Sequence, residues 1–497
     1  MSSAVYVFFA FYLMAMLGIL LYCLLQLSLA ISYLRQRKPT APMPKAHASD
    51  KNLPFVTVQL PLYNEYFVVE RLLESVSRFT YPKDRFEIQI LDDSTDDTTA
   101  LIQQLLPGLE EQGLRVQHLH RKDRVGFKAG ALAEGLPAAN GELIAIFDAD
   151  FVPEPDFLLR TVPYFAQPEV GVVQTRWQHI NKSYSLLTRI QAFALDVHFS
   201  IEQRGRNAKG YFINFNGTAG IWRKKAIADA GGWSADTLTE DLDLSYRAQL
   251  RGWQFVYLEE VGSPAELPAA IQGYKSQQFR WNKGGAETAR KMIPSIMRAK
   301  APWSVKLHGI AHLLNSSVYL CIWTSIVLSV PLLWVMDQYF SRELYNYLSI
   351  FLLATFATAI VFFVAMFSST YHRSRLYLFL HYLLLFPAFL AINLGLSLHN
   401  AVAVLRGYLG QQTPFVRTPK FNVTDKKKGF QPTKYLSGKL EWTTILEGFL
   451  VFYFGWGIYM AFQYENFGML PVHILATLGF AHVFYRSIRE AVLSPAK

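Results

Sequence analysis

Apolar runs long enough to cross a bilayer bracket a central stretch that contains none, and that partition constrains the fold more than any other feature. The first run, Val5 to Leu34, carries no charged residue. It is too long for a signal-peptide core and lacks a small-residue cleavage site, so it reads as a retained transmembrane helix. Four further spans follow the central stretch, at Val318–Val335, Leu348–Phe367, Ile445–Phe462 and Leu470–Tyr485.

Composition agrees with that reading. The 497 residues are 51% hydrophobic and 17% charged, the balance of a polytopic membrane protein that also carries a soluble domain. The formal net charge is +10, but the basic residues cluster beside apolar spans, where cytosolic loops hold them. A nucleic-acid partner is therefore not expected. Arg35, Arg37 and Lys38 follow the first span and put the chain from residue 35 onward in the cytosol. Cys23 and Cys321 both lie in apolar spans, which argues against a disulfide framework or a cysteine metal site. The segment Leu376–Leu405 is apolar but interrupted by Pro387 and Gly395, and basic loops flank it on both sides. It is expected to lie in the interface or to re-enter without a net crossing, leaving five crossings.

From about Leu53 to Trp281 the pattern changes to short β-rich runs alternating with polar helical stretches. Strands are expected at Phe55–Leu60, Glu87–Leu91, Arg115–Leu119, Leu143–Phe147 and Val170–Thr175, with helices at Tyr66–Phe79 and Thr98–Leu106 between them. This alternation predicts an α/β sheet with parallel strands. The expected organisation is a transmembrane helix (1–34), a linker (35–54), a catalytic domain (55–283), amphipathic interface helices (284–317) and a membrane region (318–497). The last contains the interfacial segment 376–405 and a cytosolic loop, 407–443.

Four motifs carry the chemistry. Asp92-Asp93 follows a strand, where carboxylates accept hydrogen bonds from a nucleotide base or ribose and open α/β sheets bind ligands. Asp148-Ala149-Asp150 follows another and sets two carboxylates on alternate residues, a donor set for Mg²⁺ or Mn²⁺. Thr239-Glu240-Asp241 opens a helix, and Asp241 is the candidate base for a sugar hydroxyl. Gln277-Gln278-Phe279-Arg280-Trp281 offers a guanidinium for a diphosphate and an indole face for a pyranose.

Taken together these residues resemble the D, DxD, TED, QxxRW signature of processive family-2 glycosyltransferases, such as cellulose, mannan and hyaluronan synthases. Pro61–Glu65, Gly126–Gly130 and Phe215–Gly220 are similar to the cellulose synthase-like branch that includes plant glucomannan synthases. Phe421-Asn422-Val423-Thr424-Asp425-Lys426 is similar to the FxVTxK gating loop of bacterial cellulose synthases. The resemblance implies a GT-A domain, a Rossmann-like mixed α/β sheet, inserted between transmembrane helices. It implies that Tyr63, Glu65 and Asp92 or Asp93 hold the nucleotide base, with Lys128, Arg280 and Thr424 on the rest of the donor. Asp148 and Asp150 would carry Mg²⁺ or Mn²⁺, and Asp241 would be the base. Gln277 and Trp281 would bind the acceptor, bordered by Gly217, Thr218 and Glu240. The implied activity is inverting polymerisation of UDP-glucose or GDP-mannose into a β-linked glycan that is passed across the membrane. Transfer of a single sugar to a lipid is the alternative. A bacterial inner membrane, which fits the gating-loop match, is expected over a Golgi membrane, which fits the glucomannan-synthase match, and the C-terminal nucleotide-sensing domain of some cellulose synthases is not expected.

Overall fold

The computed structural model describes residues 3–35, 53–340, 348–369, 374–413, 416–423 and 440–493. Its centre is a seven-stranded sheet in the order β3-β2-β1-β4-β6-β5-β7. The strands are β1 (Val56–Leu62), β2 (Phe86–Asp92), β3 (Arg115–His120), β4 (Leu143–Ile146), β5 (Val170–His179), β6 (Gly220–Arg223) and β7 (Gln254–Ala265). The five expected strands are present with small changes at their ends. β6 and β7 were not anticipated. The sheet is also not all-parallel, because β6 runs antiparallel to both β4 and β5. Only four residues long, β6 is too short for its pattern to announce a strand in the sequence.

β1 and β2 are buried on both faces, as strands covered by helices must be, so they read as continuous apolar runs rather than alternation. The polar side chains they do bury are paired across the rungs. Gln59 donates to Gln89 at 2.7 Å, Gln89 to Gln117 at 3.0 Å, and Thr57 to Glu87 at 2.7 Å. Each of these pairs sits at matched register, so the low-dielectric interior strengthens them instead of penalising them. β1 lies between β2 and β4, so the connections diverge there. The crevice beyond the carboxyl ends of those strands is where such a sheet binds ligands.

Among the described residues four helices are long and apolar enough to cross a membrane: Val5–Arg35, Asn315–Tyr339, Arg375–Gly395 and Trp442–Gln463. The apolar helix Leu352–Ser368 is shorter. The expected interfacial segment forms two helices, Arg375–Gly395 and Ser397–Tyr408, and the expected last span lies within the helix Leu470–Leu493. One helix, Ile271–Arg298, carries the QxxRW motif and runs unbroken through the expected boundary at residue 283. Its first amides, Ile271 N and Gln272 N, donate to the carboxylate of Glu490 at 2.9 and 3.1 Å. Lys275 of the same helix is ion-paired with buried Glu447 at 2.8 Å. A carboxylate at a helix N-terminus satisfies orphan donors and complements the helix dipole. The motif helix is thereby anchored to both C-terminal apolar helices.

Candidate active site

The carboxyl ends of β1, β2 and β4 open into a pocket of about 200 Å³. Tyr63, Glu65, Asp93, Lys128, Asp148 and Asp150 line part of it. Gly217, Glu240, Asp241, Gln277, Arg280 and Trp281 line the rest. Three anticipated residues stand apart. Asp92 and Thr218 are wholly buried and do not line the pocket, and Thr424 lies outside the described residues.

The two aspartates that follow β1's neighbour β2 divide their work. Asp92 accepts from Thr99 at 2.7 Å and from Ser94 N at 2.9 Å, and lies 3.2 Å from a ring nitrogen of both His118 and His120. Burial alone would raise its pKa, but the hydrogen bonds from His118, Ser94 and Thr99 outweigh that and hold it well below the usual carboxylate range. Asp93 is gripped bidentately by Arg121 at 2.6 Å on each oxygen. The guanidinium of Arg124 lies 3.4 Å above the Tyr63 ring, a half-buried cation–π platform at the mouth of the slot. Arg121 and Arg124 were not singled out in the sequence. Their only signal is a basic cluster following β3.

Lys128 rises from the first turn of the helix Phe127–Ala138 and bridges Asp148 Oδ1 at 2.5 Å and Gly217 O at 2.9 Å. Burial opposes its charge, but the carboxylates of Asp148, Glu240 and Asp241 outweigh burial and raise its pKa. Thr218 Oγ1 accepts from Asp148 N at 2.9 Å, so this threonine positions the DxD turn from behind. Asp150 meets Lys420 at 2.6 Å. Among the described residues no third His, Cys, Asp or Glu joins Asp148 and Asp150 in a ready-made metal cluster. Two hard carboxylates completed by substrate phosphates are what Mg²⁺ or Mn²⁺ ordinarily uses, so the donor set fits such an ion.

Glu240 and Asp241 open the helix Glu240–Leu250. The TED turn docks on the QxxRW helix at Gly284, where a Cβ would lie 2.6 Å from Thr239 Cγ2 and 2.8 Å from its backbone nitrogen. Gly217 is required for a similar reason, since its φ is +79° and a Cβ would sit 3.0 Å from Asp241 Oδ2. Burial, and then the charge of Glu240, raise the pKa of Asp241, with Lys128 opposing. Glu240 is raised by burial too.

A short strap, residues 416–423, borders the pocket. Arg417 clasps Glu65 with two bonds of 3.0 Å, Thr418 accepts from Arg280 at 2.8 Å, and Phe421 N donates to Glu266 at 3.0 Å. Burial pushes Glu65 up to about 7 against the pull of Arg417. In the sequence Arg417 and Lys420 belong to the basic cytosolic loop, and the last residues of the strap, Phe421–Val423, begin the gating-loop match.

Behind the pocket, toward the apolar helices, lies a second chamber of about 370 Å³. The two cavities share Trp177, Leu195, Asn216, Thr239, Asp241, Gln277 and Trp281. The Trp177 and Trp281 rings are 6.5 Å apart, and Tyr22, Gln26, Tyr274, Asn315, Tyr319 and Phe389 extend the wall with mixed aromatic and polar character.

Comparison with known proteins bears on this geometry. Residues 54–284 match the family described as Glycosyltransferase like family 2. Glucomannan 4-beta-mannosyltransferase 2 of Arabidopsis thaliana is 44% identical over 254 residues, 50% of this chain and 48% of that protein. Glucomannan 4-beta-mannosyltransferase 1 of Cyamopsis tetragonoloba is 42% identical over 264 residues, 52% of this chain and 50% of that protein. The chain thus spans about half the length of these plant relatives. Among solved structures, a mannosyltransferase from Pyrobaculum calidifontis in complex with GDP-Man and Mn²⁺ superposes with a TM-score of 0.53 at 21% identity. That match covers 73% of this chain and 99% of the archaeal one, and at this identity it speaks for the fold. Sheet, site and sequence thus liken residues 54–284 to the glycosyltransferases of family 2.

Proposed function

We propose that this protein polymerises mannosyl units from a nucleotide-activated mannose into a β-linked glycan, at a cytosolic site opening into the apolar helices. One observation carries the proposal: Asp241 stands where the donor pocket meets the membrane-side chamber, and lines both. A base placed there takes the proton from an acceptor hydroxyl arriving from the chamber while the donor lies on the opposite side. The deprotonated oxygen attacks the anomeric carbon, the bond to the diphosphate breaks, and an α-linked donor gives a β-linked product. Lys128 and Arg280 face the charge that develops on the departing diphosphate. Asp148 and Asp150 would hold Mg²⁺ or Mn²⁺, which neutralises diphosphate charge when bound. Mannose is favoured over glucose by the names of the plant relatives. Aromatic faces in the chamber favour a polymer over a single transfer to lipid, because they offer successive pyranose rings a surface to stack on. A bacterial inner membrane is proposed as the host bilayer, on the gating-loop match alone.

The test is Asp241→Asn in full-length protein in nanodiscs. Turnover is expected to fall by roughly 10²–10⁴-fold, the usual worth of a positioned base, while donor affinity stays near wild type. Because the active form is the ionised one and its pKa is raised, wild-type activity should fail on the acid side at a pH above the ordinary carboxylate range. Full turnover in the variant would remove Asp241 from the mechanism.

A further inference from the structure

The QxxRW helix, Ile271–Arg298, has a site side and an anchored side. At 3.6 residues per turn, Gln277, Arg280, Trp281 and Gly284 fall within about 100° of one another, on the side turned away from Lys275. Gln277 and Trp281 line both cavities, Arg280 donates to Thr418 of the strap at 2.8 Å, and Gly284 receives the TED turn. Lys275 points the other way. Its ammonium donates to both carboxylate oxygens of Glu447 at 2.8 Å and to Ser487 Oγ at 3.0 Å, so all three of its hydrogens are used. Glu447 belongs to the helix Trp442–Gln463 and Ser487 to Leu470–Leu493, and all three residues are buried. The same side is gripped again by His399, whose Nε2 lies 3.0 Å from Lys275 O and whose ring meets Phe279, one turn on, edge-on at 5.8 Å.

Fold stability alone is a poor reason for a pair like this. Taking an ammonium and a carboxylate out of water costs about as much as their attraction gains, and apolar side chains of similar volume would hold the helices at least as well. What a buried ion pair adds is direction. It is satisfied at one register and is lost when the helix slides or turns. A helix is stiff enough to carry a displacement from one side to the other. At Gly284 its backbone touches Thr239, so a slide also disturbs the turn that carries Asp241.

We infer that Lys275, Glu447 and Ser487 are positioning residues for glycosyl transfer, a role that rests on the function proposed above. Their contact sets the register of the motif helix against the two C-terminal apolar helices, and with it the places of Gln277, Arg280 and Trp281 around Asp241. None of the three lines either cavity, so they act only through the helix.

The experiment compares full-length variants in nanodiscs, well below their melting temperatures, with radiolabelled GDP-mannose as donor. Lys275→Met/Glu447→Leu removes both charges and nearly keeps the volume, so it should melt close to wild type. Its kcat should nevertheless fall roughly ten- to a hundredfold, the cost of a displacement of about 1 Å at the chemistry, with the donor KM little changed. Lys275→Glu/Glu447→Lys restores the pair in reverse, which the Ser487 hydroxyl can serve as donor instead of acceptor, and should recover kcat toward wild type. If the apolar double variant fails to fold, Ser487→Ala carries the test. It spares the pair, removes one bond to the ammonium, and should lower kcat roughly threefold or more with the donor KM unchanged. Wild-type kcat in the folded double variant, or in Ser487→Ala where that is the variant read, would reduce the pair to packing and overturn the assignment. So would a reversed pair that melts like wild type but turns over no faster than the apolar one. Should wild type transfer only from another sugar nucleotide or only to a lipid, the proposed function is wrong, and kcat with that substrate still decides this role.

Discussion

Asp92 closes β2 with no exposed surface and four partners around its carboxylate, while Asp148, two residues past β4, stays partly exposed at the pocket. Both are strand-end acids in the sequence, and no local pattern separates them. What separates them is His118 and His120, brought to Asp92 by the pairing of β2 with β3. That pairing is non-local and invisible in a single segment. Asp92 is thus a structural anion, and Asp92→Asn tests the reading. The folded pKa is depressed, so the ionised carboxylate stabilises the fold above the unfolded value of about 3.9 and loses that contribution as pH falls toward the folded value. The variant should be less stable by about 1.5–3 kcal/mol at pH 7, the worth of hydrogen bonds to a charged group. The gap in thermal melting should narrow below pH 4. An equal gap at both pH values would contradict the assignment. Asp148, Asp150 and Asp241, each expected at a site from its motif, do line one pocket.

At the scale of elements, apolar runs announced β1 to β5, but β6 and β7 went unread. β6 is short, and β7 contains Glu259, Glu260 and Pro264 within a strand that bulges along β5. The strap 416–423 is legible only in part, as a basic loop whose last residues, Phe421–Val423, begin the gating-loop match. Its lysine and arginine signal a cytosolic loop, and only folding shows that Arg417 meets Glu65 and Lys420 meets Asp150. Lys420 is buried to all but 9% of its side chain and places an ammonium where a divalent cation would need the same carboxylate. Removing that competitor should tighten the site. Lys420→Met is expected to bind Mn²⁺ roughly tenfold or more tightly without donor, by loss of a charge-assisted bond worth about 1.5–3 kcal/mol, as read by electron paramagnetic resonance titration. Unchanged or weaker Mn²⁺ binding would show that Lys420 supports the site instead of competing for it.

Over the whole molecule, a sheet domain is braced on apolar helices at points far apart in sequence. Gln26 reaches Glu202, Lys275 reaches Glu447, and Phe193 packs tilted and edge-on against Phe362 and Phe389. These contacts tie the domain that holds the pocket to the helices that line the chamber, and Asp241 lines both cavities. The partition of apolar spans around an α/β centre could be read directly from residue order, because length and hydrophobicity suffice for it. The chamber could not, since its wall is assembled from side chains of at least five segments. The measurement that bears most directly on the account is the size of the product made by purified protein in nanodiscs from radiolabelled GDP-mannose, with UDP-glucose and UDP-N-acetylglucosamine in parallel. The account predicts a high-molecular-weight, β-mannanase-sensitive product from GDP-mannose that disappears in Asp241→Asn. An organic-extractable product carrying one sugar would contradict it and make the chamber a lipid site.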